Sequence, residues 1–516
     1  MNKSRIARNS ILISIILILS KAAGFLRELV IAVIYGATRE SDIFKISTTI
    51  PTVIFSCIAS TIVTTFIPVF ATIKQDKKIA NEFFSNILNI VSIAAILLSV
   101  ISIIISPLLV TLFASGFTGK DFTVTVRLTR IALPSIIFLA IASLYTAYLQ
   151  SYEIFLQPSL TDMAASLVII LGILAFRNEG VTAAVISVLA GAMIQIVVQR
   201  PFIKNFKYKP IVNFKDKYIL QIITLGVPVF MSNIVGQFSV ILNRTMVSRL
   251  EAGSISVIDY AAKISTIINQ VFVVSVVTVL YPMLTEKFLK TDKTEFSNTV
   301  IKLIDMVFII SLPLISMLIV FGGPAVQILL MHGRFDSSAA AKTINCVKIL
   351  AVGTVGYGIL DTVSKVFFSA RKTKIPMYNS FITAVVNISL ILYLVPIFGV
   401  YGAALATAAT GIIMATVILL ELKYDMNFIR FSQCAFVFVK CALASVMIGV
   451  AANYVYFTVI KSLKYSENNY VIAFVILICV GLSAVIYIVT LRLMNVKEID
   501  IINDVLQKLG KIIACR

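Results

Sequence analysis

The chain has 516 residues, of which 59% are hydrophobic and 13% charged, about half the charged share of an average soluble domain. Its net charge of +20 comes without the interleaving of basic and aromatic residues expected of a nucleic-acid surface, so no nucleic-acid partner is expected. The apolar residues fall in runs of about 20, enough to cross a hydrocarbon core of roughly 30 Å as helices, which excludes an ordinary soluble bundle and predicts an all-α polytopic membrane protein.

The first run, ILISIILIL (11–19), follows a basic N-terminus and precedes Ser20-Lys21-Ala22, which imitates a signal-peptide cleavage site. The apolar pattern resumes as LVIAVIYG (29–36) with no polar domain between, so this segment reads as a retained first span. About fourteen spans follow in chain order, near 9–36, 42–72, 83–113, 122–150, 156–176, 180–201, 217–248, 255–285, 297–331, 338–369, 375–397, 400–422, 431–458 and 468–491. Pro51, Pro134, Pro228 and Pro313 fall inside spans and predict bends. Beyond 492, Ile499, Ile502, Leu506, Leu509 and Ile513 form one apolar stripe flanked by Lys508, Lys511 and Arg516, an amphipathic cytoplasmic tail over 493–516 that lies on the membrane or packs on its own loops.

Cys57, Cys346, Cys434, Cys441 and Cys479 sit in apolar runs, and with Cys515 they form no CxxC pair, so they read as small apolar side chains. His332 is the only histidine and builds no metal site alone. Lys and Arg crowd alternate loops: the N-terminus, 74–78, 200–217, 287–293, 371–374 and the C-terminal segment. That asymmetry predicts cytoplasmic N- and C-termini.

The sequence repeats. Lys45-Ile46-Ser47-Thr48 returns 218 residues later as Lys263-Ile264-Ser265-Thr266, and Phe117 and Pro158 return as Phe335 and Pro376 at the same offset. The unit is six helices, giving an N-terminal lobe at 1–205, a C-terminal lobe at 206–425 and two extra helices at 426–492.

Charge inside a span marks a functional pathway by default. Lys21, Gly24, Arg27 and Glu28 fall within an arc of about 120° on the first span. This face either lines a cavity for an anion such as a diphosphate, or holds a buried Arg27–Glu28 pair with Lys21 reaching toward the cytoplasm. Lys45, Arg244, Asp259, Lys263, Lys348, Asp361 and Lys365 add an excess of bases on other spans, some of them near span ends. No nucleotide loop, metal-ligand cluster or long loop serves an enzyme, so none is expected.

These residues bring out a likeness. SKAAGFLRELVIAVIYGATRESDIF (20–44), IPTVIFSCIASTIVTTFIPVF (50–70), GSISVIDYAAKISTIINQVFVVSVVTVLYPML (253–284) and KVFFSARKTKIPMYNSFITAVVNISLILYLVPIFGVYGAALATA (365–408) together resemble the lipid II flippase family (MurJ/MviN) of the MOP exporter superfamily. The likeness covers nearly the whole chain. It implies a bacterial cytoplasmic-membrane protein that moves an undecaprenyl-diphosphate-linked peptidoglycan precursor to the outer leaflet by alternating access. The head group would pass a central cationic cavity and the lipid tail would ride beside the last two helices. Membrane lipids and cell-wall synthesis proteins are the implied partners.

By position, the resemblance carries substrate contacts to Lys21, Arg27, Glu28, Asp42 and Lys263. Lys21 and Lys263 stand where relatives carry arginine, and Phe55 and Ser56 occupy the place of a second-span arginine. Asn243 replaces an acid that looks like a sodium ligand in some members, which leaves Asn243, Asn387 and Thr407 as a candidate sodium site. No cofactor is implied; sodium or the membrane potential would supply the energy. The alternatives are a flippase for another polyprenyl-diphosphate oligosaccharide, a drug/cation antiporter of the same superfamily, which should prefer acids in its cavity, and a non-transporting scaffold for cell-wall assembly.

Overall fold

The structure, a computed structural model, describes residues 3–203, 206–266, 284, 293–370, 372–426, 432–463 and 469–496. Every regular element among them is a helix. The amphipathic tail beyond residue 496, Cys515, Arg371 and most of the expected eighth span lie outside the described residues. The chain divides into two compact units, Met1–Ser256 and Val257–Arg516.

The first unit holds α1 (Lys3–Tyr35), α2 (Arg39–Ile73), α3 (Lys77–Ile104), α4 (Ser106–Phe113), α5 (Gly119–Ala132), α6 (Ser135–Ser151), α7 (Leu156–Ala175), α8 (Val181–Gln199) and α9 (Lys217–Ser248). Helical residues 254–266 form α10, and the second unit continues with α11 (Lys293–Leu330), α12 (Ser337–Ser369), α13 (Lys374–Phe398), α14 (Val400–Asp425), α15 (Ser432–Leu463) and α16 (Asn469–Leu493). Twelve helical spans among the described residues are long and apolar enough to cross a membrane. To these α1 adds 33 residues, roughly 50 Å of helix, and the remaining expected span is described only to residue 266.

Two of the expected spans are broken. The third divides at Ile105 into α3 and α4, with Pro107 in the first turn of α4. The fourth divides at Leu133–Pro134 into α5 and α6. Proline lacks an N–H and clashes with the preceding turn, so each break falls beside one. By contrast, Pro51 and Pro313 lie inside uninterrupted helices.

The core of the first unit is aromatic. Phe66 and Phe70 of α2 stack at 5.0 Å, and Phe84 of α3 meets Tyr148 of α6 at 4.2 Å between centroids. The polar edge of α3 holds the segment that leads to α9: Asn86 exchanges hydrogen bonds with the Asn213 backbone at 2.9 and 2.8 Å, and Ser85 Oγ accepts from the Lys209 N–H at 3.1 Å. In the second unit, mainly aliphatic side chains of α11, α12 and α14, with Phe296, Phe308 and Phe367, form one cluster, and α15 and α16 close against α11 through Ile309, Cys441, Ile448 and Leu491. The outward faces keep Ile104, Leu171, Phe436 and Leu477 exposed, as suits helices whose solvent is lipid. All five described cysteines are buried, and among the described residues none forms a disulfide.

The 218-residue register reaches the backbone. α5 and α12 begin at Gly119 and Ser337, and α7 and α13 begin at Leu156 and Lys374, each pair separated by that offset. Thr125 Oγ1 donates to the Asp121 carbonyl at 2.7 Å, and the corresponding Thr343 Oγ1 donates to Ala339 at 2.8 Å.

Small residues set the packing of α12 on α14. A Cβ at Gly356 would enter the Gly411 backbone, and one at Gly353 would meet Ala408. Gly356→Val should therefore push the two helices apart and cost at least about 1–3 kcal/mol, read as a lower melting temperature in detergent. Gly481→Ala, on α16 with nothing within 4 Å of the added carbon, should be tolerated.

Candidate functional site

The candidate site is built on a tight α1–α2 turn. Gly36 has φ of +63°, which glycine reaches without strain, and its N–H donates to the Ala32 carbonyl at 2.8 Å. Thr38 then caps α2, its hydroxyl accepting from the Ser41 N–H at 3.4 Å and donating to the Tyr35 carbonyl at 2.8 Å. Glu40 and Asp42 in the first turn of α2 suit the positive end of the helix dipole.

This turn sets the register of the charges. Glu28 lies seven residues before the end of α1 and Lys45 six residues after the start of α2, so each sits about 10 Å from the turn. Their side chains meet: Lys45 Nζ donates to Glu28 Oε2, while Arg27 Nη2 donates to Glu28 Oε1 at 3.1 Å. The side chains of Lys45 and Glu28 are 8% and 9% exposed, and that of Arg27 is 29% exposed. One carboxylate thus holds two cations, a local formal charge of +1. Lys45 is enclosed with its partner, whereas Arg27 reaches the surface with a five-donor guanidinium fork.

Lys21 is exposed on α1, about 9 Å along the helix from Arg27. Gly24, between them, is directed at α7: a Cβ there would come 4.0 Å from Ser166 Oγ. The expected polar face is therefore interrupted by a helix-packing contact.

Asp42 is turned elsewhere. It is 1% exposed. Its Oδ2 accepts from the Gly253 N–H at 2.7 Å, and its Oδ1 accepts from the Ser256 N–H at 2.9 Å and the Ser256 hydroxyl at 2.7 Å. It caps the first turn of α10, a place where backbone N–H groups lack partners of their own. Gly253 has φ of +89°, and a Cβ there would run into the Ala37 carbonyl oxygen.

Lys263, the repeat counterpart of Lys45, is exposed in the second unit. The residue 218 positions after Glu28 is Met246, so the acid that encloses Lys45 has no counterpart by sequence. Of the candidate sodium ligands, Asn243 is half-buried on α9. Asn387 Nδ2 donates to Thr410 Oγ1 at 3.1 Å, and Thr407 Oγ1 donates within its own helix to Ala403 at 2.9 Å.

Two features were not singled out from the sequence. Lys45 as the direct partner of Glu28 becomes evident once the turn is located at Gly36, because the two are then equidistant from it. Arg127 and Arg130 lie on α5, inside the expected fourth span, and need only a helical wheel to place them on one face.

The family model described as lipid II flippase MurJ matches residues 31–501. The chain belongs to that family. It is similar to the probable lipid II flippase MurJ of Buchnera aphidicola subsp. Acyrthosiphon pisum, at 26% identity over 454 residues covering 86% of this chain and 88% of the relative. The lipid II flippase MurJ of Burkholderia cenocepacia is 24% identical over 420 residues, covering 79% and 81%. Among solved structures, a lipid II flippase MurJ in an inward closed conformation superposes with a TM-score of 0.80 at 24% identity over 94% of this chain and 98% of that one. A multidrug-resistance MATE transporter of the MOP superfamily superposes with a TM-score of 0.70 at 14% identity, covering 79% and 95%. The chain is thus a multi-pass membrane protein of the MurJ family with a MOP-type fold.

Proposed function

We propose that this protein moves the lipid-linked peptidoglycan precursor lipid II from the inner to the outer leaflet of the bacterial cytoplasmic membrane by alternating access, without catalysing a covalent step. The family match across residues 31–501 carries the reading. The α1–α2 cluster agrees with it, because a diphosphate head group calls for cations with unused donors. In this scheme Arg27 and Lys21 contact phosphate, Glu28 and Lys45 position Arg27, and the exposed Lys263 is a further phosphate contact. Both termini are cytoplasmic, in keeping with the Lys and Arg bias of the loops.

Complementation tests it. In a host depleted of its own lipid II flippase, the wild-type chain should restore growth. Arg27→Ala should lower rescue at least tenfold at equal protein level, and Arg27→Lys should retain part of it, keeping the charge but losing the fork. Failure of a well-expressed wild type would point to another polyprenyl-diphosphate glycan as cargo. Undiminished rescue by Arg27→Ala would remove the α1–α2 cluster from substrate binding.

Asn243, Asn387 and Thr407 are proposed as sodium ligands with neutral oxygen donors. Replacing sodium by choline in a vesicle assay should then slow turnover, and an unchanged rate would take all three out of the mechanism.

A further inference from the structure

α5 turns two faces in opposite directions. Thr125, Leu128, Thr129 and Ala132 are buried on one side, and Val126 is buried at its edge. At 100° per residue, Thr123, Arg127 and Arg130 gather on the other, with Phe122, Val126 and Ile131 at its margins. These six residues line a groove of about 420 Å³ that is open to the surface. Asp121, the acid on this helix, lies on the opposite side and pairs with Arg39 of α2 at 3.3 Å. Among the described residues neither Arg127 nor Arg130 has a carboxylate partner. Arg130 is nevertheless held in place, because its Nε donates to Ser106 Oγ of α4 at 2.9 Å and Ser106 is fully buried.

Depth sharpens the point. The α5–α6 span, Gly119–Ser151, has 33 residues, roughly 50 Å of helix, and overruns a 30 Å core by about 10 Å at each end if centred. Arg127 and Arg130 stand about 12 and 17 Å from its first residue, about 2 and 7 Å beneath that hydrocarbon boundary. An arginine side chain at that level reaches the phosphate layer. Two guanidinium groups one turn apart, with the Thr123 hydroxyl one turn before Arg127 and apolar margins, match a phosphodiester followed by the start of an acyl chain.

We infer that the Arg127–Arg130 face of α5 binds the phosphodiester head group of an anionic membrane phospholipid, at a site separate from Arg27, Glu28 and Lys45. The diphosphate of the transported lipid offers related chemistry, but with its sugars and peptide it is far bulkier than a glycerophospholipid head group. The inference does not depend on what the protein transports.

The test uses the purified full-length chain in detergent, mixed with phosphatidylglycerol, phosphatidylcholine or undecaprenyl diphosphate, with bound lipid counted by native mass spectrometry. Phosphatidylglycerol should be retained over phosphatidylcholine. Arg127→Gln with Arg130→Gln should lower its retention roughly tenfold or more, since each charge-assisted contact is lost, and Arg27→Ala should not. Arg127→Lys with Arg130→Lys should keep most of it, which separates lost charge from misfolding, and gel filtration should show each variant monodisperse. Equal retention by the glutamine variant would overturn the inference, as would equal retention of the two phospholipids by wild type. Loss of undecaprenyl diphosphate alone would also overturn it and give the face to the transported lipid.

Discussion

Glu28→Ala is expected to be the most damaging single substitution on α1. It leaves the Lys45 ammonium, only 8% exposed, without the carboxylate that compensates it. Removing one partner of a buried ion pair costs about 3–5 kcal/mol, a large fraction of the roughly 5–15 kcal/mol that holds an ordinary domain together. The folded, monodisperse fraction in detergent should fall sharply. Glu28→Leu combined with Lys45→Met removes both charges and fills similar volume, so folded protein should return. Rescue of growth should stay below wild type even then, because Arg27 has lost the oxygen that orients its guanidinium at 3.1 Å. A folded yield for Glu28→Ala equal to wild type would mean that the pair does not hold α1 against α2. Full rescue by the double variant would reduce Glu28 to a purely structural role.

The helical membrane class was legible because apolar run length is a local property, and the repeat because offsets survive in a single sequence. The onset of α12 at Ser337, 218 residues after Gly119, is that offset expressed in backbone. Both breaks carry a proline signal, Pro134 at one and Pro107 just past Ile105 at the other, although apolar residues continue across the second. Lys45 looked like a charge at a span end, and only the position of the Gly36 turn makes it the neighbour of Glu28. Asp42 shows the limit most clearly. Its partners lie more than 200 residues away, and no spacing rule connects α2 to Gly253 and Ser256.

That contact carries the second large effect. Gly253→Ala should fail, since its φ of +89° is strained for any L side chain and the added carbon meets the Ala37 backbone with nowhere to move. Asp42→Ala should follow closely. It strips the carboxylate from two backbone N–H groups and a hydroxyl in a 1% exposed site. With charge-assisted hydrogen bonds worth about 1.5–3 kcal/mol, the loss should be at least about 2 kcal/mol. Asp42→Asn keeps one oxygen for Ser256 but sets its amide against the Gly253 N–H, donor facing donor, and should fall between Asp42→Ala and wild type. Ser256→Ala removes only the hydroxyl bond and should cost about 1 kcal/mol. Melting temperatures in detergent should reproduce this order. They also separate the two roles open to Asp42. If Asp42→Ala melts like wild type but fails to rescue growth, its carboxylate acts on the transported lipid; if melting and rescue fall together, it acts by capping α10.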